Sequence, residues 1–273
     1  MSADATSPHD RRPSAADLAR DHAFVVLAYR ESPFLAGCLD SLAAQTVKSR
    51  LVVATSTPND AIAEAAAAHG VEVIVNPVRE AIASDFNFGL RASGARLVTL
   101  AHQDDTYAPD FLERTLAEFA AHDGALCFTS YVEIDDAGRP IRSKVSVAKH
   151  AIEGLTLGAR HVLRGARLRA FLSLGNALPC SSVTYDLARL GDFAFSVDFV
   201  SNLDWDAWWR LQAAGHTFLR APYPLVGRRH NDLAETARRL RDGTRRTEDL
   251  VMFRRAWPSP LAEIIAAAYR AGY

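Results

Sequence analysis

Asp104 and Asp105 are adjacent carboxylates, two residues beyond His102, in the run Leu97-Val98-Thr99-Leu100-Ala101-His102-Gln103-Asp104-Asp105. Carboxylate oxygens suit a hard cation such as Mg2+ or Mn2+, which commonly shares its shell with substrate phosphates. The apolar residues before them read as a buried strand, and ligands of α/β sheets bind just outside the carboxyl ends of strands. One reading is therefore a metal–diphosphate site with Asp105 as the metal ligand. The other is a polar turn leading into a helix after Pro109, with Asp110 and Glu113 favouring its positive end. The residues alone leave both open.

A second candidate is Asp204, in Ser201-Asn202-Leu203-Asp204-Trp205-Asp206. It can serve as a general base beside an aromatic wall, or as an acid complementing a helix dipole behind an Asn202 or Ser201 cap. Trp205, Trp208, Trp209 and Gln212 share one helical face, which reads as core in preference to a sugar platform; Asp206 and Arg210 can pair across one turn. His230 closes a strand-like run and could bring its imidazole to a metal or a phosphate, or be an ordinary polar residue. Between 139 and 170, eight Lys and Arg residues face a single acid, Glu153. That stretch implies either an anionic neighbour or a solvated helix face. The arginines between 238 and 246 are followed by Glu248 and Asp249, which favours a solvated helix over a membrane contact.

The elements that must position these groups alternate. Strands are expected over Phe24–Ala28, Leu51–Ala54, Val71–Val75, the central run, Ala125–Ser130 and Cys180–Tyr185. Helices are expected after Ser32-Pro33, over 61–69 with Gly70 closing, over 82–92 and over 111–121. Two more are expected around Trp257-Pro258-Ser259-Pro260. The βαβαβ order predicts a mostly parallel sheet flanked by helices.

Composition is that of a globular chain: 273 residues, 49% hydrophobic, 23% charged, net charge −1. The near-neutral balance gives no support for a nucleic-acid partner. Three separated cysteines fit a reducing compartment and no zinc site. There is no signal-peptide pattern near the start and no apolar run long enough to span a bilayer, so the expected location is cytoplasmic, with at most peripheral contact at the inner membrane face. Expected boundaries are a weakly ordered tail over 1–20, one domain over 21–235 divided near 105, and a helical extension over 236–273.

In this order the pieces resemble the family-2 glycosyltransferases of the GT-A fold. The carriers are Val26-Leu27-Ala28-Tyr29-Arg30-Glu31, Asn87-Phe88-Gly89, His102-Gln103-Asp104-Asp105 in the place of a DxD-type motif, Leu203-Asp204-Trp205-Asp206, and Arg229-His230. The departures are Thr55 where the family has an acid after its second strand, His102 for the first acid of the central motif, and Leu203 for the first acid of the acceptor motif. The resemblance implies inverting transfer of a sugar from a nucleotide diphosphate sugar, UDP- or dTDP-linked, to an acceptor hydroxyl, which a lipid-linked glycan could supply in glycan or polysaccharide biosynthesis. It implies Mn2+ or Mg2+ held by Asp105 and His230, and Asp204 as the base. Ala28, Tyr29, Glu31, Thr55, Asp60, Asn87, Gln103 and Asp104 would line the donor, and the basic 139–170 region would lie on the acceptor side. Two other classes compete: a nucleotidyltransferase, disfavoured because no glycine-rich loop follows the first strand, and a non-catalytic binding protein that kept the fold.

Overall fold

The computed structural model describes residues 13–230 and 235–270. In chain order the elements are α1 (Ala15–Arg20), β1 (His22–Ala28), α2 (Leu35–Ala43), β2 (Arg50–Thr55), α3 (Asp60–Ala68), β3 (Glu72–Val75), α4 (Ile82–Ala92), β4 (Leu97–His102) and β5 (Thr106–Tyr107). There follow α5 (Phe111–Ala121), β6 (Leu126–Ile134), β7 (Pro140–Ile141), α6 (Lys144–Leu157), β8 (Val162–Leu163), α7 (Gly165–Ser173), β9 (Val183–Asp186) and α8 (Leu187–Leu190). Then come α9 (Leu203–Ala213), β10 (Phe218–Arg229), α10 (Glu235–Arg241), α11 (Thr244–Ala256) and α12 (Leu261–Arg270).

The strands form one sheet in the order β3-β2-β1-β4-β9-β6-β10-β5, with β7 on β6 and β8 on β10. β3, β2, β1 and β4 are parallel, so Ala28, Thr55 and His102 all finish at one edge. β9 runs antiparallel to both β4 and β6 and separates this block from the parallel pair β6–β10. The carboxyl end of β4 therefore lies where the strand direction changes, the place where α/β sheets bind ligands.

Side chains alternate across the sheet, as strand geometry requires. On β1, Val25 joins one buried cluster with α4, α7, α9, α11 and α12, while Phe24, Val26 and Ala28 join another with α1, α2, α3 and α5. The three tryptophans of α9 belong to the first cluster, and Trp205 and Trp208 are fully buried. They are core, as their spacing predicts.

Several boundaries differ from the sequence expectation. Part of the expected tail is the helix α1, capped by Ser14 and held by buried Leu18 and Ala19; residues 1–12 lie outside the described ones. α2 begins at Leu35, two residues after Pro33, because Ser32 Oγ accepts from the Phe34 amide and ties the chain in a turn. Cys180–Ser182 is a 3₁₀ turn and only Val183 onward is strand. β6 reaches Ile134 because β10 continues beside it to Arg229. The extension after 235 packs into the main core through Met252, Phe253, Ala262 and Ala266; residues 271–273 lie outside the described ones. Among the described residues no helix is long and apolar enough to cross a membrane.

Candidate active site

The turn after β4 places three potential ligands together. One side-chain atom each from His102, Asp104 and Asp105 lies within 4.8 Å of the others. Asp105 is buried, at 3% exposure. Burial, followed by the neighbouring Asp104 charge, pushes its carboxyl up to about 6. His102 Nε2 is buried without a hydrogen-bond partner among the described residues, and its ring lies edge-on to Phe86 at 5.6 Å. A buried Asp105 carboxylate repelled by half-buried Asp104, beside an orphaned imidazole nitrogen, is a donor set that a divalent cation would satisfy. One imidazole and two carboxylates suit Mn2+ at least as well as Mg2+.

This turn is fixed from β10. The Arg229 amide donates to Asp105 Oδ1 at 2.9 Å, and Arg229 Nε donates to the Asp104 carbonyl at 2.9 Å. The guanidinium also lies over the Phe34 ring at 4.4 Å. β10 can approach this closely because residue 227 is glycine: a Cβ there would stand 2.5 Å from Thr106 Oγ1. Tyr107 donates its hydroxyl to the Ser181 carbonyl at 3.0 Å, linking the turn to the 3₁₀ segment.

Asp204 sits in the first turn of α9. Its Oδ1 accepts from Asn176 Nδ2 at 3.0 Å and from the Trp205 amide at 2.8 Å. Neither Asn202 nor Ser201 caps this helix with its side chain. Instead the Glu248 carboxylate of α11 accepts from the amides of Val200, Ser201 and Asn202. Burial pushes the Cys180 thiol up, and the charges of both Asp204 and Asp105 reach it, so both carboxylates stand near the 3₁₀ segment. Lys149 of α6 is half-buried; burial and the Arg228 and Arg245 guanidinium groups push its ammonium down to about 7, against the pull of Asp204 and Glu133.

A family model described as glycosyl transferase family 2 matches residues 23–179, more than half of the chain. The chain belongs to glycosyl transferase family 2. Its fold is shared with other glycosyltransferases at low identity. Residues 1–349 of S. aureus TarS, in complex with UDP-GlcNAc, superpose with a TM-score of 0.60 at 13% identity, over 91% of this chain and 71% of that one. The mannosyltransferase PcManGT of Pyrobaculum calidifontis, with GDP-Man and Mn2+, gives 0.58 at 17% identity over 97% and 78%. Glucosyl-3-phosphoglycerate synthase of Mycobacterium tuberculosis, with Mn2+, UDP and glucosyl-3-phosphoglycerate, gives 0.57 at 17% identity over 93% and 88%. No curated protein sequence matches significantly.

The anticipated residues of this glycosyltransferase spread over the His102–Asp105 cluster and the strand ends around it, with His230 apart from the cluster. His230 is exposed at the end of β10 and its amide bonds the Ile134 carbonyl; the metal-type cluster holds His102 in its place. Asp104 belongs to that cluster. The Gln103 amide is committed to the backbone of Tyr29, giving and taking one hydrogen bond at 3.0 Å each. It sews the end of β4 to the end of β1 and does not face a ligand with its amide free. The Asn87 amide is likewise committed, with Phe195 N–H and C=O at 2.7 and 3.0 Å. Thr55 is buried and its hydroxyl accepts from the Thr57 amide. Tyr29, Glu31 and Asp60 are exposed around the same edge, and Ala28 is buried against Thr55. Between Tyr29 and Glu31, Arg30 takes a positive φ of 56°, its amide bonding Thr57 Oγ1. A non-glycine residue in that region stores strain of about 1–3 kcal/mol, and such strain collects at functional turns.

The acid missing from the end of β2 has a spatial counterpart that sequence order hides. Asp85 of α4 accepts from Ser56 Oγ and Asn76 Nδ2, both at 2.9 Å, and so stands at the ends of β2 and β3. Arg229, Asn176 and Ser181 were also not separable as site residues by spacing. Arg229 had a signal, its place beside His230 in a family-like segment.

Proposed function

We propose that the chain transfers a sugar from a nucleoside diphosphate sugar to an acceptor hydroxyl by a single displacement with inversion. The observation that carries this reading is the pair of carboxylates from different elements, Asp105 after β4 and Asp204 in α9, whose charges both reach the Cys180–Ser182 turn. The diphosphate of the donor is assigned to the edge formed by the ends of β1, β2 and β4. UDP-GlcNAc bound to TarS, GDP-Man bound to PcManGT and UDP bound to glucosyl-3-phosphoglycerate synthase support this class of donor.

His102, Asp104 and Asp105 would hold a divalent cation, which when bound offsets the negative charge that develops on the leaving diphosphate. Asp85 and Ser56 would contact the nucleoside base, with Tyr29 and Glu31 beside the ribose. Arg229 holds the Asp104–Asp105 turn in place by its two hydrogen bonds. Asp204 accepts the proton of the attacking acceptor hydroxyl. Asn176, donating to Oδ1, fixes the carboxylate orientation and leaves Oδ2 for that proton. No covalent intermediate is needed, since the acceptor attacks opposite the leaving group.

The test combines stereochemistry with one substitution. Wild type should give product of inverted anomeric configuration, read from the anomeric proton coupling by NMR. Asp204→Asn should lower kcat by about 10²–10⁴ with donor KM little changed. Retained configuration, or full turnover by Asp204→Asn, refutes the assignment.

A further inference from the structure

Helix α6 turns an apolar stripe to solvent. Val147, Ala151 and Leu155 follow at intervals of four and therefore line one face. All three are exposed, Val147 at 57% and Leu155 at 88%. The opposite side of the helix is anchored inward. There Leu157 is buried, and Glu153 accepts from Ser130 Oγ at 2.8 Å and from Arg220 Nε at 2.9 Å. The stripe is thus held outward by a polar bridge that fixes the helix rotation.

The charges around it have one sign. Arg142 and Lys144 stand at the start of the helix, and Arg160, Arg164, Arg167 and Arg169 stand beyond its end, on the loop and on α7, which packs against it; all six are exposed. Glu153, the only acid between 139 and 170, is buried against Arg220. A soluble polyanion would use the cations and gain nothing from Leu155. An anionic bilayer uses both, because its headgroups attract Lys and Arg while aliphatic side chains enter the headgroup–acyl boundary.

We propose that the α6–α7 face docks on the surface of an anionic lipid bilayer, with Leu155 and Val147 entering the interface and the flanking cations on its phosphates. The docking is independent of the catalytic reading. It would nonetheless bring the site toward a surface-bound acceptor, because α7 packs on α9, which carries Asp204. Two aliphatic side chains give weak insertion, so binding is reversible and needs the charges.

The full chain would be sedimented with vesicles of phosphatidylcholine alone and of phosphatidylcholine mixed with phosphatidylglycerol. Wild type is expected to bind the mixed vesicles only, and to be released at high salt. Leu155→Ser should weaken binding about tenfold through lost insertion, and Lys144→Glu with Arg164→Glu at least about tenfold through lost attraction. All of these positions are exposed, and unchanged circular dichroism and melting temperature establish that the variants fold. Wild type binding no better to anionic than to neutral vesicles overturns the proposal, as do variants that bind like wild type. Retention on immobilised heparin that Leu155→Ser leaves unchanged, with no vesicle binding, overturns it in favour of a soluble polyanion. None of these readouts depends on sugar transfer.

Discussion

Asp105 and Arg229 are 124 positions apart in the chain and joined by a hydrogen bond of 2.9 Å, from the Arg229 amide to Asp105 Oδ1. The bond is made by backbone, so it is a property of the β10 path and not of the arginine side chain. Register along β6 carries β10 to this point, with Gly227 beside Val132 and Arg229 beside Ile134. The β6–β10 pair thereby fixes the carboxylate that follows the parallel β1–β4 block.

Asp85 is expected to serve donor binding. A hydrogen bond to a charged group is worth about 1.5–3 kcal/mol, so Asp85→Ala should raise donor KM about tenfold or more while kcat stays within about twofold. Ser56→Ala, which keeps the carboxylate, should have a smaller effect. Steady-state kinetics with varied donor decides this. An unchanged donor KM in Asp85→Ala would remove Asp85 from the base pocket.

How much of this was legible in sequence depends on range. The parallel block, the Asp104–Asp105 turn and the buried tryptophan face follow from local periodicity, which the chain writes within one element. The antiparallel insertion of β9 does not, because strand order across a sheet is settled by contacts between distant segments. Local chemistry was read correctly for Asp206 and Arg210, which pair at 2.7 Å. Spacing says less about Gln103 and Asn87. Their amides sit at the expected edge but spend their hydrogen bonds on the backbone of Tyr29 and Phe195, partners that no spacing reveals. In the sequence His102 is a departure from a family pattern; only the folded chain puts its ring beside both carboxylates.

Asn87 is expected to act on the 191–200 segment. Asn87→Ala removes both hydrogen bonds to Phe195 and leaves a backbone donor and acceptor without partners. The cost should be about 1–3 kcal/mol per unsatisfied group. Hydrogen exchange at the Phe195 amide should lose protection, with donor KM changed less than about threefold. Intact protection together with a large rise in donor KM would reverse the assignment and make Asn87 a donor contact.

His22 makes stability depend on pH. It is buried, bonded to Ser49 and Thr99, and burial pushes its imidazole down from 6.5 to about 3. The folded state holds the neutral ring, so its contribution is complete above pH 6.5 and is lost as pH falls from 6.5 toward 3. At pH 4.5 the loss should be about 2–3 kcal/mol at most, from 1.36 kcal/mol per pH unit. Urea unfolding at pH 7.5 and 4.5 should show that His22→Asn, whatever its stability at pH 7.5, falls less on acidification than wild type. An equal fall in both would exclude His22 as the titrating group.

The claim that the Asp105 turn binds a divalent cation together with a nucleoside diphosphate is tested most directly by calorimetric titration. UDP and GDP would be titrated into wild type and Asp105→Asn, each with Mn2+ and with chelator. The substitution keeps shape and removes a buried charge that Asp104 repels, so the ligand-free variant should melt no lower than wild type. Wild type should bind one of the nucleotides in a Mn2+-dependent manner, and Asp105→Asn should bind it at least about tenfold more weakly, losing one charged ligand. Equal Mn2+-dependent binding by the folded variant, or no binding of either nucleotide by wild type, would contradict the account.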